Sequence, residues 1–165
     1  MHRTAYGGLA QIYDRFMRDA SYSSWVDWTL SMWQQHWGHL PSIGIDLSED
    51  MLACAQAKWE NKNHHDHAAL SLSCQDMTQW TWAEPVDSVL AYCDTFNYLI
   101  HEEDLLNAFR CAYDRLTPGG LLLFDLLPED RFLYYADEQP FVVDEGDIAY
   151  HWFSEYDKKK RWIEH

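Results

Sequence analysis

Long apolar runs are missing from this chain. No stretch approaches the ~20 consecutive apolar residues of a membrane span, so no membrane partner is expected. The first residues, Met1-His2-Arg3-Thr4-Ala5-Tyr6-Gly7-Gly8, have no apolar h-region, so no secretory signal is expected. Basic residues are scarce. Twelve Lys plus Arg stand against 27 Asp plus Glu among 165 residues, a formal net charge of −15. A surface this acidic repels phosphate backbones and argues against general nucleic-acid binding. The four cysteines, Cys54, Cys74, Cys93 and Cys111, form no C-x-x-C pair. They read as reduced, mostly buried thiols of a cytoplasmic protein that folds without disulfides. Glycine is rare: seven residues, at 7, 8, 38, 44, 119, 120 and 146. None builds the G-x-G-x-x-G of a nicotinamide-dinucleotide enzyme, and no G-x-S-x-G marks a hydrolase.

What is present suffices for a folded core. Apolar residues make up 47% and aromatics 16%, which excludes wholesale disorder. Residues 6–19 place Leu9, Ile12, Tyr13, Phe16 and Met17 at helical spacing. A second helix is expected from Tyr22 to about Trp37, with Trp25, Trp28, Met32 and Trp33 on one face, ended by Gly38 and Pro41. Trp28 and Trp33 read as core, and Trp25 as either core or cofactor-facing.

Then the period changes. Residues 42–47 read as a strand ending in an acid. A helix over 49–63 follows, with Met51, Leu52, Ala55 and Trp59 inward. His64-His65-Asp66-His67 reads as a solvated loop, since no second ligand set has metal spacing; no metal is expected. Residues 69–74 form a second strand running into Gln75-Asp76-Met77, and residues 86–92 a third running into Cys93-Asp94-Thr95. A helix over 102–116 should bury Leu105, Leu106, Phe109, Ala112 and Tyr113. Thr117-Pro118-Gly119-Gly120 reads as a turn, and residues 121–126 as a strand buried on both faces. Beyond Pro128, residues 141–143 and 148–156 look like antiparallel strands, with a hairpin turn at 157–160 and a return strand from 161. Asp14 and Arg18, four apart, read as a surface ion pair.

Apolar strands alternating with helices imply an α/β fold with a mostly parallel sheet. Ligands of such sheets sit beyond the carboxyl ends of the strands. The informative residues are therefore Asp46, Asp76-Met77, Cys93-Asp94-Thr95 and Asp125. A carboxylate at such an end offers two acceptor oxygens to a ribose diol, although each acid alone could equally cap a helix or turn. The ordered set favours a shared ligand.

The run Ile43-Gly44-Ile45-Asp46-Leu47-Ser48-Glu49-Asp50-Met51-Leu52 resembles the second-strand motif of class I S-adenosylmethionine-dependent methyltransferases. Gln75-Asp76-Met77, the segment 93–99 and the segment 116–125 follow in that family's order. Tyr13-Asp14 and Tyr22-x-x-Trp25 are similar to the N-terminal helices of a bacterial small-molecule subgroup. The resemblance implies a Rossmann-like domain over 1–128 with a helical cap over 1–38, and a substrate-covering antiparallel segment over 129–165. It implies S-adenosylmethionine as cofactor and a small-molecule methyl acceptor as partner. Asp46 would hold the ribose hydroxyls and Leu47 would pack on the adenine. Asp76 would accept from the adenine amino group, with Met77 beside the ring. Cys93 and Asp94 would line the methionine end, and Tyr13 and Trp25 would close over the cofactor. Asn97, Tyr98, Tyr150 and His151 are the acceptor-side candidates. No residue is singled out as catalytic.

One departure is large. The family's glycine-rich loop follows a first strand that precedes the GIDLS strand, and only Gly38-His39-Leu40-Pro41 separates the second helix from that strand here. A strand, loop and helix need roughly 20–30 residues. The usual last helix and strands are also not present after His165. The sheet is therefore expected to be incomplete, its first strand missing. The strand at 43–46 must then pair with the one at 86–92 or leave edges open, which favours low stability or a homo-oligomer. The second functional reading is a methyltransferase-like binding protein that has lost its glycine loop.

Overall fold

The computed structural model describes residues 9–34, 43–61 and 70–165. The His64–His67 loop, the helix end near Trp37 and the turn at Gly38 lie outside the described residues. The chain divides into two compact units: Met1–Leu90 with Glu103–Leu123, and Ala91–Glu102 with Phe124–His165.

In the first unit, α1 (Tyr13–Phe16) is one turn within the longer helix expected over 6–19. α2 (Tyr22–Gln34) keeps its expected start. Its inward line is Trp25, Thr29 and Met32, with Thr29 buried and its hydroxyl donating to the Trp25 carbonyl at 2.7 Å. Trp28, expected in the core, is 45% exposed. The inward positions are spaced four and three apart, and Trp28 lies one residue off that line.

β1 (Ile43–Asp46) and β2 (Ser71–Cys74) pair in parallel, Ile43 opposite Ser71 and Asp46 opposite Cys74. Between them, α3 (Glu49–Asn61) starts at a buried Ser48 whose hydroxyl accepts the Met51 N–H at 3.2 Å. Acids at Glu49 and Asp50 suit the positive end of the helix. β3 (Val86–Ala91) pairs with β4 (Leu116–Phe124). Gly120 lies against Asp87, and farther along both chains the Asp125 N–H donates to the Ala91 carbonyl at 3.4 Å, so these strands also run in parallel. Between them lies α4 (Glu102–Arg115).

Three expectations fail here in whole or in part. On α4 the expected inner residues Ala112, Leu105 and Phe109 are buried or half-buried, and Ala108 is buried with them, but Leu106 is exposed and Tyr113 is 79% exposed. The inward line therefore runs through Leu105, Ala108, Phe109 and Ala112, at the three and four spacing of one helix face. The turn expected at 117–120 is absorbed into β4: Gly119 takes φ +86, and a Cβ on Gly120 would meet the Thr117 carbonyl at 2.9 Å and that of Asp87 at 3.1 Å. Only a glycine lets the two backbones approach so closely. The strand is also not buried on both faces, since only Leu123 within it is buried and Phe124 is exposed. Its sheet has two strands, so few neighbours cover it. The same shortage shows in the cysteines, all free: Cys74 is exposed and the other three are half-buried rather than buried.

Among the described residues β1 does not pair with β3; each parallel pair keeps its own open edges. This is the second of the two outcomes that a missing first strand allows.

The second unit holds a short 3-10 turn (Thr95–Tyr98), α5 (Glu129–Asp137) and two hairpins. α5 escaped the sequence reading, although Pro128, the first-turn acids Glu129 and Asp130, and the spacing of Phe132, Leu133 and Ala136 signal it. β5 (Phe141–Asp144) pairs antiparallel with β6 (Ala149–Trp152), and β7 (Glu155–Asp157) with β8 (Trp162–Glu164). The single strand expected over 148–156 breaks at Phe153-Ser154. There the Gln139 side chain takes the Ser154 N–H at 2.6 Å and donates to its carbonyl at 2.5 Å, replacing the ladder with a side-chain clip. The Asp157–Lys160 turn forms as expected, closed by the Arg161 N–H on the Asp157 carbonyl at 2.7 Å. Among the described residues no helix is long and apolar enough to cross a membrane.

Candidate functional site

In the first unit, the parallel register places Asp46 and Asp76 beyond the same end of one strand pair. The Gln75 N–H donates to the Asp46 carbonyl at 3.0 Å and continues the pairing past β2. One oxygen of the Asp46 carboxylate accepts the Ser48 N–H at 2.7 Å, so the cap reading holds in part. Its other oxygen takes no hydrogen bond among the described residues and stays available to a hydroxyl donor. Leu47 follows with its side chain in the open, 58% exposed. Asp76 accepts the Thr78 N–H and the Thr78 hydroxyl, both at 2.8 Å, and Gln79 Nε2 at 3.5 Å. These donors, the Thr78 backbone amide first, hold its carboxyl below the usual range against the opposing effect of burial. Asp76 is thus an ionised acceptor near neutral pH. Met77 beside it is half-buried.

Tyr13, on α1, belongs to the same unit. With Ala10, Tyr22, Met51, Cys54 and Ala55 it lines a cavity of about 390 Å³ over the first turns of α3. The rim is an ion pair of Asp14 with Lys58 at 2.6 Å, a partner for Asp14 that the i,i+4 spacing to Arg18 did not reveal. Trp25 packs edge-on against Tyr22 at 5.5 Å and does not line the cavity.

In the second unit, Cys93 and Asp94 both take left-handed backbone, φ 59 and φ 52. The two oxygens of Asp125 accept their amides, Cys93 N–H at 3.2 Å and Asp94 N–H at 2.8 Å. Burial and then the Asp125 charge push the Asp94 carboxyl up to about 6. Burial, then Asp125 and Asp94, push the Cys93 thiol up to about 11, so it stays protonated and is no nucleophile near neutral pH. Asp125 thus shapes this corner, a role that its place as a strand-end acid at the close of the apolar run did not reveal.

Asn97 spends both ends of its amide on Leu127, accepting its N–H at 2.9 Å and donating to its carbonyl at 3.2 Å. Tyr98 beside it is 61% exposed. Tyr150 and His151 are neighbours on β6, so they face opposite sides of the hairpin. Tyr150 shares its face with Trp152 at 6.2 Å, and His151 is exposed on the other. One acceptor cannot meet both from a single face. Among the described residues no group of three His, Cys, Asp or Glu side chains is placed to hold a metal.

These strand-end acids stand in a segment with known relatives. A family profile described as a methyltransferase domain matches residues 27–120, more than half of the chain. The chain belongs to this methyltransferase domain family, in keeping with its resemblance to the class I S-adenosylmethionine-dependent enzymes. A protein of Geobacillus sp. (strain WCH70) with a provisional methyltransferase name is 28% identical over 170 residues, covering 89% of this chain and 67% of its own length. YqeM of Bacillus subtilis (strain 168), also provisionally named a methyltransferase, is 28% identical over 169 residues, covering 90% of this chain and 66% of its own. The chain thus spans about two thirds of the length of these curated relatives. An alignment of 170 positions is longer than the 165-residue chain, so the Geobacillus protein carries residues inside the matched region that have no counterpart here. The crystal structure of an S-adenosylmethionine-dependent methyltransferase from Clostridium acetobutylicum ATCC 824 superposes with a TM-score of 0.75 at 21% identity, over 93% of this chain and 70% of that one. The fold is that of the Rossmann-like α/β methyltransferases, with an incomplete sheet.

Proposed function

We propose that the chain transfers a methyl group from S-adenosylmethionine to a small-molecule acceptor in the cytoplasm. The observation that carries this reading is the common end of β1 and β2, where Asp46 has a carboxylate oxygen that takes no hydrogen bond among the described residues and Asp76 is held ionised. Bound there, the cofactor supplies a methyl group activated by its sulfonium. The chain binds and orients. Asp46 takes the ribose hydroxyls, Leu47 packs on the adenine, Asp76 accepts from its amino group and Met77 flanks the ring. Cys93 and Asp94 line the methionine end, and Tyr13 and Trp25 close from the N-terminal side. On the acceptor side stand Tyr98 and Asn97, with either Tyr150 or His151. In organisation, 1–128 is the Rossmann-like domain with its helical cap at 1–38, and 129–165 covers the substrate.

Displacement at a sulfonium needs alignment more than a nucleophilic side chain, and proximity can account for most of the rate. The protonated Cys93 suits that chemistry. No particular observation favours the non-catalytic binding protein.

Titration calorimetry with S-adenosylmethionine and S-adenosylhomocysteine tests the reading. Both should bind, NAD should not, and Asp46→Ala should abolish binding. No heat at millimolar S-adenosylhomocysteine would sink the assignment.

A further inference from the structure

We propose that Asp125 is a positioning residue for methyl transfer, its carboxylate holding the Cys93–Asp94 corner in the shape that presents Asp94 to the donor. The last step rests on the donor-binding reading of Asp94.

Two successive residues with side chains sit in left-handed backbone at this corner. Each such residue is uncommon outside glycine, and the strain persists only where surroundings enforce it. The enforcing group is visible. Asp125 lays one oxygen on each of the two amides, at 3.2 Å and 2.8 Å, as an anion sits in a nest of successive N–H groups. Its own backbone is fixed on the neighbouring strand end by the bond to Ala91. The corner is closed from the other side by Thr95, whose hydroxyl donates to the Tyr92 carbonyl at 2.6 Å, and by the Asn97 N–H on the Asp94 carbonyl at 2.8 Å. Asp125 caps no helix, since α5 starts four residues later. The arrangement sets one carboxylate beside another at a half-buried corner, and the charge of Asp125 acts on Asp94. A carboxylate that served folding alone would be better placed away from a second acid. A backbone that must hold that second acid in one orientation accounts for the cost.

The test uses Asp125→Asn, which keeps the shape and one acceptor oxygen, and Asp125→Ala in the whole chain. Amide hydrogen exchange without ligand should accelerate at least tenfold at Cys93 and Asp94 in both variants and stay unchanged at Ile45 in β1. The carboxyl titration of Asp94, read by carbon NMR, should move down toward the ordinary range in Asp125→Asn. Affinity for S-adenosylhomocysteine should fall about tenfold in Asp125→Asn, the equivalent of about 1.4 kcal/mol. Adding Cys93→Gly should restore part of it, because glycine takes positive φ without a Cβ penalty. Unchanged exchange at the two amides overturns the proposal, as does wild-type affinity in Asp125→Asn despite faster exchange. If the unaltered chain binds no S-adenosylhomocysteine, the donor reading fails and the proposal falls with it. Normal binding by the unaltered chain with no effect of Asp125→Asn overturns the proposal alone.

Discussion

The amide of Ser48 donates to one carboxylate oxygen of Asp46 at 2.7 Å, and the second oxygen takes no hydrogen bond among the described residues. Asp46 therefore has two separable tasks. Asn at this position keeps an acceptor for the Ser48 amide, whereas Ala leaves a donor of a fully buried residue without its partner. An orphaned buried donor costs about 1–3 kcal/mol. Asp46→Ala should lose about that much in a urea titration, and Asp46→Asn under about 1 kcal/mol. S-adenosylhomocysteine affinity should fall at least tenfold in both. Wild-type affinity in a well-folded Asp46→Asn would remove the ribose contact from the reading.

Ser48 itself starts α3 through its hydroxyl on the Met51 amide. Losing such a cap costs about 1 kcal/mol. Ser48→Ala should shift the denaturation midpoint accordingly and leave the sheet register intact. A midpoint equal to that of the unaltered chain would mean that Asp46 alone holds the helix start.

The parts of the fold that were legible are those written in local chemistry. Ser48 before two acids announced α3, and Asp157 before three lysines announced the last hairpin, because caps and turns depend on neighbours in sequence. What failed depended on distant partners. Helical spacing found Ala112, but bulk pointed to Leu106 and Tyr113 as core, and both are exposed while the small Ala108 is buried. The break at Ser154 follows from Gln139, fifteen residues away, and no periodicity records such a clip. At the site, the acids at strand ends were visible one by one. The grip of Asp125 on two amides more than thirty positions away was not, because spacing along the chain says nothing about which strand ends meet.

Asp94 should make stability depend on pH. Its carboxyl titrates at about 6 in the folded chain, above the ordinary value of 3.8. The folded state therefore binds more protons than the unfolded state between those values, and stability falls as pH rises through that window. The stabilisation is complete below about pH 4 and lost above about pH 6. With Asp94 half-exposed and screened, the change should be about 1 kcal/mol. Asp94→Asn should flatten that part of the curve measured by urea titration from pH 4 to 7. An unchanged slope would assign the dependence to other groups.

Gly120 is tightly confined. An added Cβ would meet backbone carbonyls at 2.9 Å and 3.1 Å, and backbone cannot swing aside as a side chain can. Gly120→Ala should cost about 1–3 kcal/mol by overpacking between β3 and β4. Gly119→Ala has open space but a positive φ, so it should cost about 1 kcal/mol from strain alone. Thermal melts of the pair separate the two causes: equal losses would mean that the strands move apart to admit the methyl group.

The open edges of the two parallel pairs set the last expectation. A parallel pair ordinarily lies inside a sheet covered on both faces, and two strands alone are barely stable. Here all four residues of β1 and all six of β3 are only half-buried. Either the monomer melts at a low temperature, or a second copy adds backbone partners along an edge. The charge of −15 opposes that second route, and salt screens the repulsion. Light scattering across 0.05–0.5 M salt, a span over which the Debye length falls from roughly 14 to 4 Å, should therefore show association rising with ionic strength. A strand edge buried between copies would also raise the melting midpoint with protein concentration, as mass action requires. A chain that stays monomeric at high salt and still unfolds in one sharp, high-temperature step would mean that the edges are closed within the molecule.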